Sequence, residues 1–159
     1  MKQITVIGSS GLIPQEVYKM AEELGESIAE AGAVLITGGR DGVMEAVCKG
    51  AKKKGGLTVG ILPGSKDEAN PYNDITIVTG MGDARNVINV KSADSVISVH
   101  GSTGTLSEIA LALNSGKRVI AIRSSGGVSK MMAGVSINGR EVISADTVED
   151  AVQLANEDP

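Results

Sequence analysis

Aromatic side chains are almost absent from this chain. Its 159 residues hold two Tyr, no Phe and no Trp. The core must therefore be aliphatic, and a row of rings for stacking bases, the usual platform for single-stranded nucleic acid, is excluded. Cysteine and histidine occur once each. One Cys rules out an internal disulfide and a multi-thiolate metal site, and one His leaves no His-based metal cluster, so no metal is expected. No apolar run nears the ~18 residues of a membrane span. Met1-Lys2-Gln3 leads straight into a short apolar strand, which is not the shape of a signal peptide. A cytoplasmic protein without a membrane partner is the expectation. Excess positive charge is also lacking: 15 Lys and Arg against 19 Asp and Glu give a net charge of −4. Nucleic-acid binders normally carry a basic face, so nucleic acid is disfavoured as a partner.

Glycine is what the chain has in surplus, 21 of 159 residues, roughly twice the usual ~7%. These glycines cluster after apolar runs. Ile4-Thr5-Val6-Ile7 ends at Gly8-Ser9-Ser10-Gly11, and Ala33-Val34-Leu35-Ile36 ends at Thr37-Gly38-Gly39-Arg40-Asp41-Gly42. Further strands are expected at 57–61, 75–78, 95–99, 118–122 and 141–144. Helical spacing of apolar residues follows Pro14, and recurs from Met44, over Met81 to Ala93, from Leu106, and over Asp146 to Asn156. Asp146 and Glu149 have the spacing of a cap for that last helix. Residues 62–74 are expected to be a loop, and 123–141 to be irregular, forming a lid or a hairpin about Asn138-Gly139. Strand–helix alternation with wholly apolar strands predicts a parallel sheet covered on both faces. The fold class is a single α/β domain over 1–159: a three-layer, doubly wound, Rossmann-like sheet.

In such a sheet, ligands bind beyond the carboxyl ends of the strands, where strand order reverses. Here that rim carries glycine turns at 8–11, 37–42, 80–86 and 100–105. Glycine lets backbone N–H groups crowd toward an anion, and a following helix adds about half a positive charge. A small phosphorylated ligand is the expected partner. Gly8-Ser9-Ser10-Gly11 is not G-x-G-x-x-G, and no acidic residue ends the second strand, which argues against NAD. A P-loop sequence is absent as well.

Two segments are more specific. Gly101-Ser102-Thr103-Gly104-Thr105-Leu106-Ser107-Glu108 resembles the P-G-G-x-G-T-x-x-E motif of Lonely Guy-type phosphoribohydrolases, once mislabelled lysine decarboxylases. Gly38-Gly39-Arg40-Asp41-Gly42-Val43-Met44 resembles their G-G-G-x-x-G-[LV]-M motif, and Gly8-Ser9-Ser10 their opening loop. The related molybdenum cofactor carrier proteins and their bacterial and archaeal relatives are more similar still. They share stretches like Asp67-Glu68-Ala69-Asn70 and Thr79-Gly80-Met81-Gly82-Asp83-Ala84-Arg85-Asn86. The resemblance covers about residues 4–122. It also links the chain distantly to the Rossmann domain of DNA-processing protein A.

The resemblance implies roles. Arg85 and Glu108 match the hydrolase Arg and Glu, which hold the nucleotide and stabilise positive charge as an N-glycosidic bond breaks. Thr103, Gly104 and Thr105 would cradle a 5′-phosphate. The wider ligand set is Gly8, Ser9, Ser10, Gly38, Gly39, Arg40, Gly42, Met44, Arg85, Asn86, Gly101, Ser102, Thr103, Gly104, Thr105 and Glu108. The resemblance also implies a homo-oligomer, dimer or tetramer. His100, Ser102, Thr37 and Glu45 depart from the hydrolase motifs, and Arg85 is followed by Asn86 rather than Lys, as in the carriers. These changes weaken the hydrolase reading more than the ligand site. A carrier of a nucleotide or molybdenum cofactor, requiring no cofactor of its own, is the first reading. A nucleoside 5′-monophosphate phosphoribohydrolase is the second, and a single-stranded DNA module the third.

Structural roles compete for the same residues. Thr105 and Glu108 have capping-box spacing, and Arg85 could pair with Asp83. His100 suits a polar turn, Cys48 a core position, and Lys52-Lys53-Lys54 a helix carboxyl end.

Overall fold

Apolar runs bounded by glycine turns fold here as eight strands. In the computed structural model, which describes residues 1–158, they are β1 (Gln3–Gly8), β2 (Val34–Thr37), β3 (Thr58–Leu62), β4 (Ile75–Val78), β5 (Ser95–Val99), β6 (Arg118–Ile122), β7 (Ser136–Ile137) and β8 (Arg140–Ala145). The helices between them are α1 (Gln15–Glu30), α2 (Val43–Lys53), α3 (Arg85–Lys91), α4 (Thr103–Asn114), α5 (Gly127–Met132) and α6 (Val148–Asn156). The sheet order is β4-β3-β2-β1-β5-β6-β8-β7, parallel throughout except for the antiparallel β7–β8 hairpin. Strand order reverses between β1 and β5, which run in register from Ile4 beside Ser95 to Gly8 beside Val99.

Alternate side chains enter different layers, as a strand's two-residue period requires. Ile4 and Val6 of β1 and Ile97 and Val99 of β5 pack under α1, α2 and α6, with Val17, Leu24, Ile28, Val47, Val148 and Val152. Ile7 and Val96 point the other way, joining Val90, Ile109, Leu113 and Val128 of α3, α4 and α5. Cys48 lies in the first of these layers, as its apolar position suggested, and burial pushes its thiol up to about 11. Lys52 and Lys53 end α2 in ion pairs with Asp74 and Glu22.

Three expectations are corrected. The segment from Met81 is not helical throughout: positive φ at Gly80 and Gly82 imposes a 3-10 turn at Gly82–Ala84 before α3. The last helix is capped by Thr147, whose hydroxyl accepts the Asp150 N–H at 3.1 Å, rather than by Asp146 with Glu149. Residues 123–141 do hold the Asn138-Gly139 hairpin, but also the regular helix α5. No helix among the described residues is long and apolar enough to cross a membrane.

Candidate functional site at the carboxyl rim

The turns after β1 and β5 flank the point of strand reversal, and a cleft of about 170 Å³ opens there. Twelve of the expected residues line it: Gly8, Ser9, Ser10, Gly38, Arg40, Met44, Arg85, Asn86, Ser102, Gly104, Thr105 and Glu108. Gly39, Gly42, Gly101 and Thr103 lie beside it without lining it. The three glycines shape the turns instead. The Gly39 carbonyl accepts from Asn70 N–H and the Asn73 amide, clamping the second turn to the loop before β4. A Cβ on Gly42 would run into the Ser9 carbonyl, and one on Gly101 would meet the Thr105 side chain 2.6 Å away. Thr103 is exposed at the start of α4.

The floor of the cleft is polar and buried. Arg85 and Glu108 are only 9% and 8% exposed. Gly38 makes room for the arginine: a Cβ there would collide with the guanidinium. Burial lowers the Arg85 pKa, with the charge of Glu108 opposing the change. Burial drives the Glu108 carboxyl up to about 7, although the charge of Arg85 pulls it down. This is the pattern of a site group poised near neutrality. Among the described residues, the ion pairs within 4 Å do not include Arg85 with Asp83. The capping-box reading also fails, because α4 begins at Thr103 with Ser102 as its cap residue. Glu108 therefore sits one turn inside the helix and faces inward.

Several buried polar atoms here have no hydrogen-bond partner: Arg85 Nε, Asn86 Oδ1, and both amide atoms of Asn89. Such atoms normally find partners within the fold or in water. The Thr103, Gly104 and Thr105 N–H groups open α4, where a helix leaves amides without intrahelical acceptors. Donors and orphaned atoms thus converge on one space suited to an anionic, hydrogen-bonding guest. Asn89, Asp83, Val6 and Ile7 line the cleft without having been singled out. Asn89 was detectable in principle, since it stands four residues after Arg85 on the same helix face.

His100 occupies a turn and does not line the cleft. A wider hollow of about 780 Å³ lies at the amino-terminal ends of the strands. Four of its charges pair there, Lys2 with Asp158 and Arg118 with Glu157. No group of three or more metal-ligating side chains occurs among the described residues.

Fold and cleft together define a Rossmann-like α/β protein with a polar pocket at its topological switch point. The chain belongs to the SLOG cluster4 family, matched over residues 1–152. It is 57% identical to a protein of Archaeoglobus fulgidus over 123 residues, 77% of this chain and 81% of that one. The molybdenum cofactor binding protein of Rippkaea orientalis superposes with a TM-score of 0.88 at 42% identity, covering 96% of this chain and 94% of the other. The molybdenum cofactor carrier protein of Chlamydomonas reinhardtii gives 0.87 at 36%, covering 99% and 100%. A cytokinin riboside 5′-monophosphate phosphoribohydrolase of Mycobacterium tuberculosis is 35% identical over 98 residues, 59% of this chain and 52% of that enzyme. The chain thus spans about half of that relative. DNA processing protein A of Helicobacter pylori, with a TM-score of 0.70 at 19% identity over 96% of this chain and 79% of that one, shows the fold alone.

Proposed function

We propose that this protein is a carrier for a small phosphorylated ligand, of molybdopterin or nucleotide type, held at the β1–β5 switch point. The observation that carries the reading is the set of unpartnered buried atoms on Arg85, Asn86 and Asn89, three residues that line one cleft. The similarity to molybdenum cofactor binding and carrier proteins supports it. The α4 amides and Ser9 would hold phosphate, and the Arg85 guanidinium would neutralise it. Ligand pockets usually hold about 300 Å³ or more, so a cleft of about 170 Å³ encloses the phosphate end and leaves the ring system at the open rim.

A homo-oligomer belongs to the same reading. Ile75, Ile77, Val78 and Met81 are exposed along β4 and the turn after it, and Val87, Ile88 and Leu106 on α3 and α4. Covering this apolar surface with a second copy would remove it from water.

The hydrolase reading keeps one specific observation: Glu108, pushed up to about 7 beside Arg85, can hold or release a proton near neutrality. Incubation with AMP and other nucleoside monophosphates separates the two. Ligand bound intact, with no free base, supports the carrier. Base release that Glu108→Ala abolishes makes the protein a phosphoribohydrolase.

A further inference from the structure

Arg40 and Arg85 bring two guanidinium groups to one cleft, and they are held differently. Arg85 is buried in the floor. Arg40 stands half-exposed in the second glycine turn, with its main chain clamped. The Arg40 carbonyl accepts the Asn70 side-chain amide at 2.7 Å. The Gly39 carbonyl before it accepts the Asn70 N–H at 2.8 Å and the Asn73 amide at 2.9 Å. The Arg40 side chain is held loosely by comparison. Among the described residues its guanidinium makes no hydrogen bond to the protein, and its one ion pair joins Nε to Glu68 Oε2 at 3.6 Å.

Glu68 is the fixed member of that pair. Its Oε1 accepts the Ser65 N–H at 3.4 Å in a capping box on the 3-10 turn Lys66–Glu68. Gly64 makes room for it, since a Cβ there would collide with that oxygen. An exposed ion pair with one long contact holds weakly, so an arriving anion can draw the guanidinium away while Glu68 stays in its cap. Burial lowers the Arg85 pKa most, and the positive charge of Arg40 lowers it further, against the pull of Glu108. The two cations therefore repel within the cleft, and anions beside them relieve that repulsion.

We infer that the ligand carries two neighbouring anionic groups, one enclosed beside Arg85 and the other taken at the rim by Arg40 as it leaves Glu68. The inference rests on the phosphate-binding reading above. A cleft of about 170 Å³ encloses one phosphate, so whatever is joined to that phosphate passes out over the rim where Arg40 stands. The guanidinium fork matches two oxygens of a second phosphate. A diphosphate ester, rather than a monophosphate, is the class of ligand that uses both arginines. Asp83 lines the cleft as well, but it is exposed, and solvent screens its repulsion.

Calorimetric titration with ADP and AMP at low salt reads the second group. The wild type should bind ADP about tenfold tighter than AMP, and added salt should narrow the gap. Arg40→Met should bring the ratio close to one, with ADP losing more affinity than AMP. Glu68→Gln keeps the cap, because glutamine serves at that position, but gives up the charge that restrains Arg40. It should raise ADP affinity about threefold. Lys66→Met removes a positive charge from the same loop outside the cleft and should leave the ratio as it is. Inorganic pyrophosphate against inorganic phosphate repeats the comparison with no base to lose. A wild-type ratio near or below one overturns the inference. So does a ratio that survives in Arg40→Met, one that falls as far in Lys66→Met, or a Glu68→Gln protein that binds ADP more weakly. If none of the four anions binds, the carrier reading falls as well.

Discussion

The two faces of the sheet are built to different ends. Under α1, α2 and α6 the packing is closed. Gly25 and Gly50 let α1 and α2 touch backbone to backbone, since a Cβ on Gly25 would strike the Val47 carbonyl and one on Gly50 the Glu22 carbonyl. Lys53 meets Glu22 at 2.9 Å across that contact. On the other face, α3 and α4 bury Arg85, Asn89 and Glu108, the first two with polar atoms left unpaired, and leave Val87, Ile88 and Leu106 in the open. One face has spent its contacts on stability. The other keeps desolvated charge in reserve, which lowers stability until a partner arrives.

The largest expected effect comes from attacking the closed face. Gly50→Leu forces a side chain into the Glu22 backbone and should cost at least about 3 kcal/mol in urea unfolding, while whatever folded protein remains binds ligand as before. Next is Glu108 on the open face. Its folded value of about 7 lies above its ordinary 4.5, so protonation favours the folded state. The stabilisation from this one group is therefore fully present below about pH 4.5 and is lost as the pH rises through about 7. The loss is on the order of 3 kcal/mol for one such buried group. Glu108→Gln should flatten that slope and be the more stable protein at pH 8, as unfolding curves across pH would show. Arg85→Met should lower AMP affinity about 100-fold while moving stability by no more than about 1 kcal/mol, because the guanidinium is desolvated without full pairing. Loss of stability without loss of binding would reverse the roles of the faces. The smallest effect is Thr147→Ala, which removes the α6 cap on the closed side at about 1 kcal/mol by thermal unfolding.

The closed face was the more legible in the sequence. Helical spacing at Val17, Ala21, Leu24 and Ile28 and the β-branched strands announce themselves by period, because burial of one face imposes it. The glycine turns were legible too, and twelve of the residues they and the motifs suggested line the cleft. What escaped depends on backbone geometry that composition does not encode. Positive φ at Gly80 and Gly82 delays α3 to Arg85, and Ser102 rather than Thr105 precedes the first turn of α4. That single displacement turns Glu108 from a cap into an inward carboxylate. Asn89 escaped because it belongs to no motif, and its role follows only from Arg85 being buried on the same helix face.

The most direct test of the cleft as a ligand site is native mass spectrometry of the protein purified from its own host, beside its Arg85→Met variant. The account predicts a phosphorylated small molecule retained by the wild type and lost from the variant. A wild-type protein that carries no such molecule, and takes up none when supplied, would contradict it.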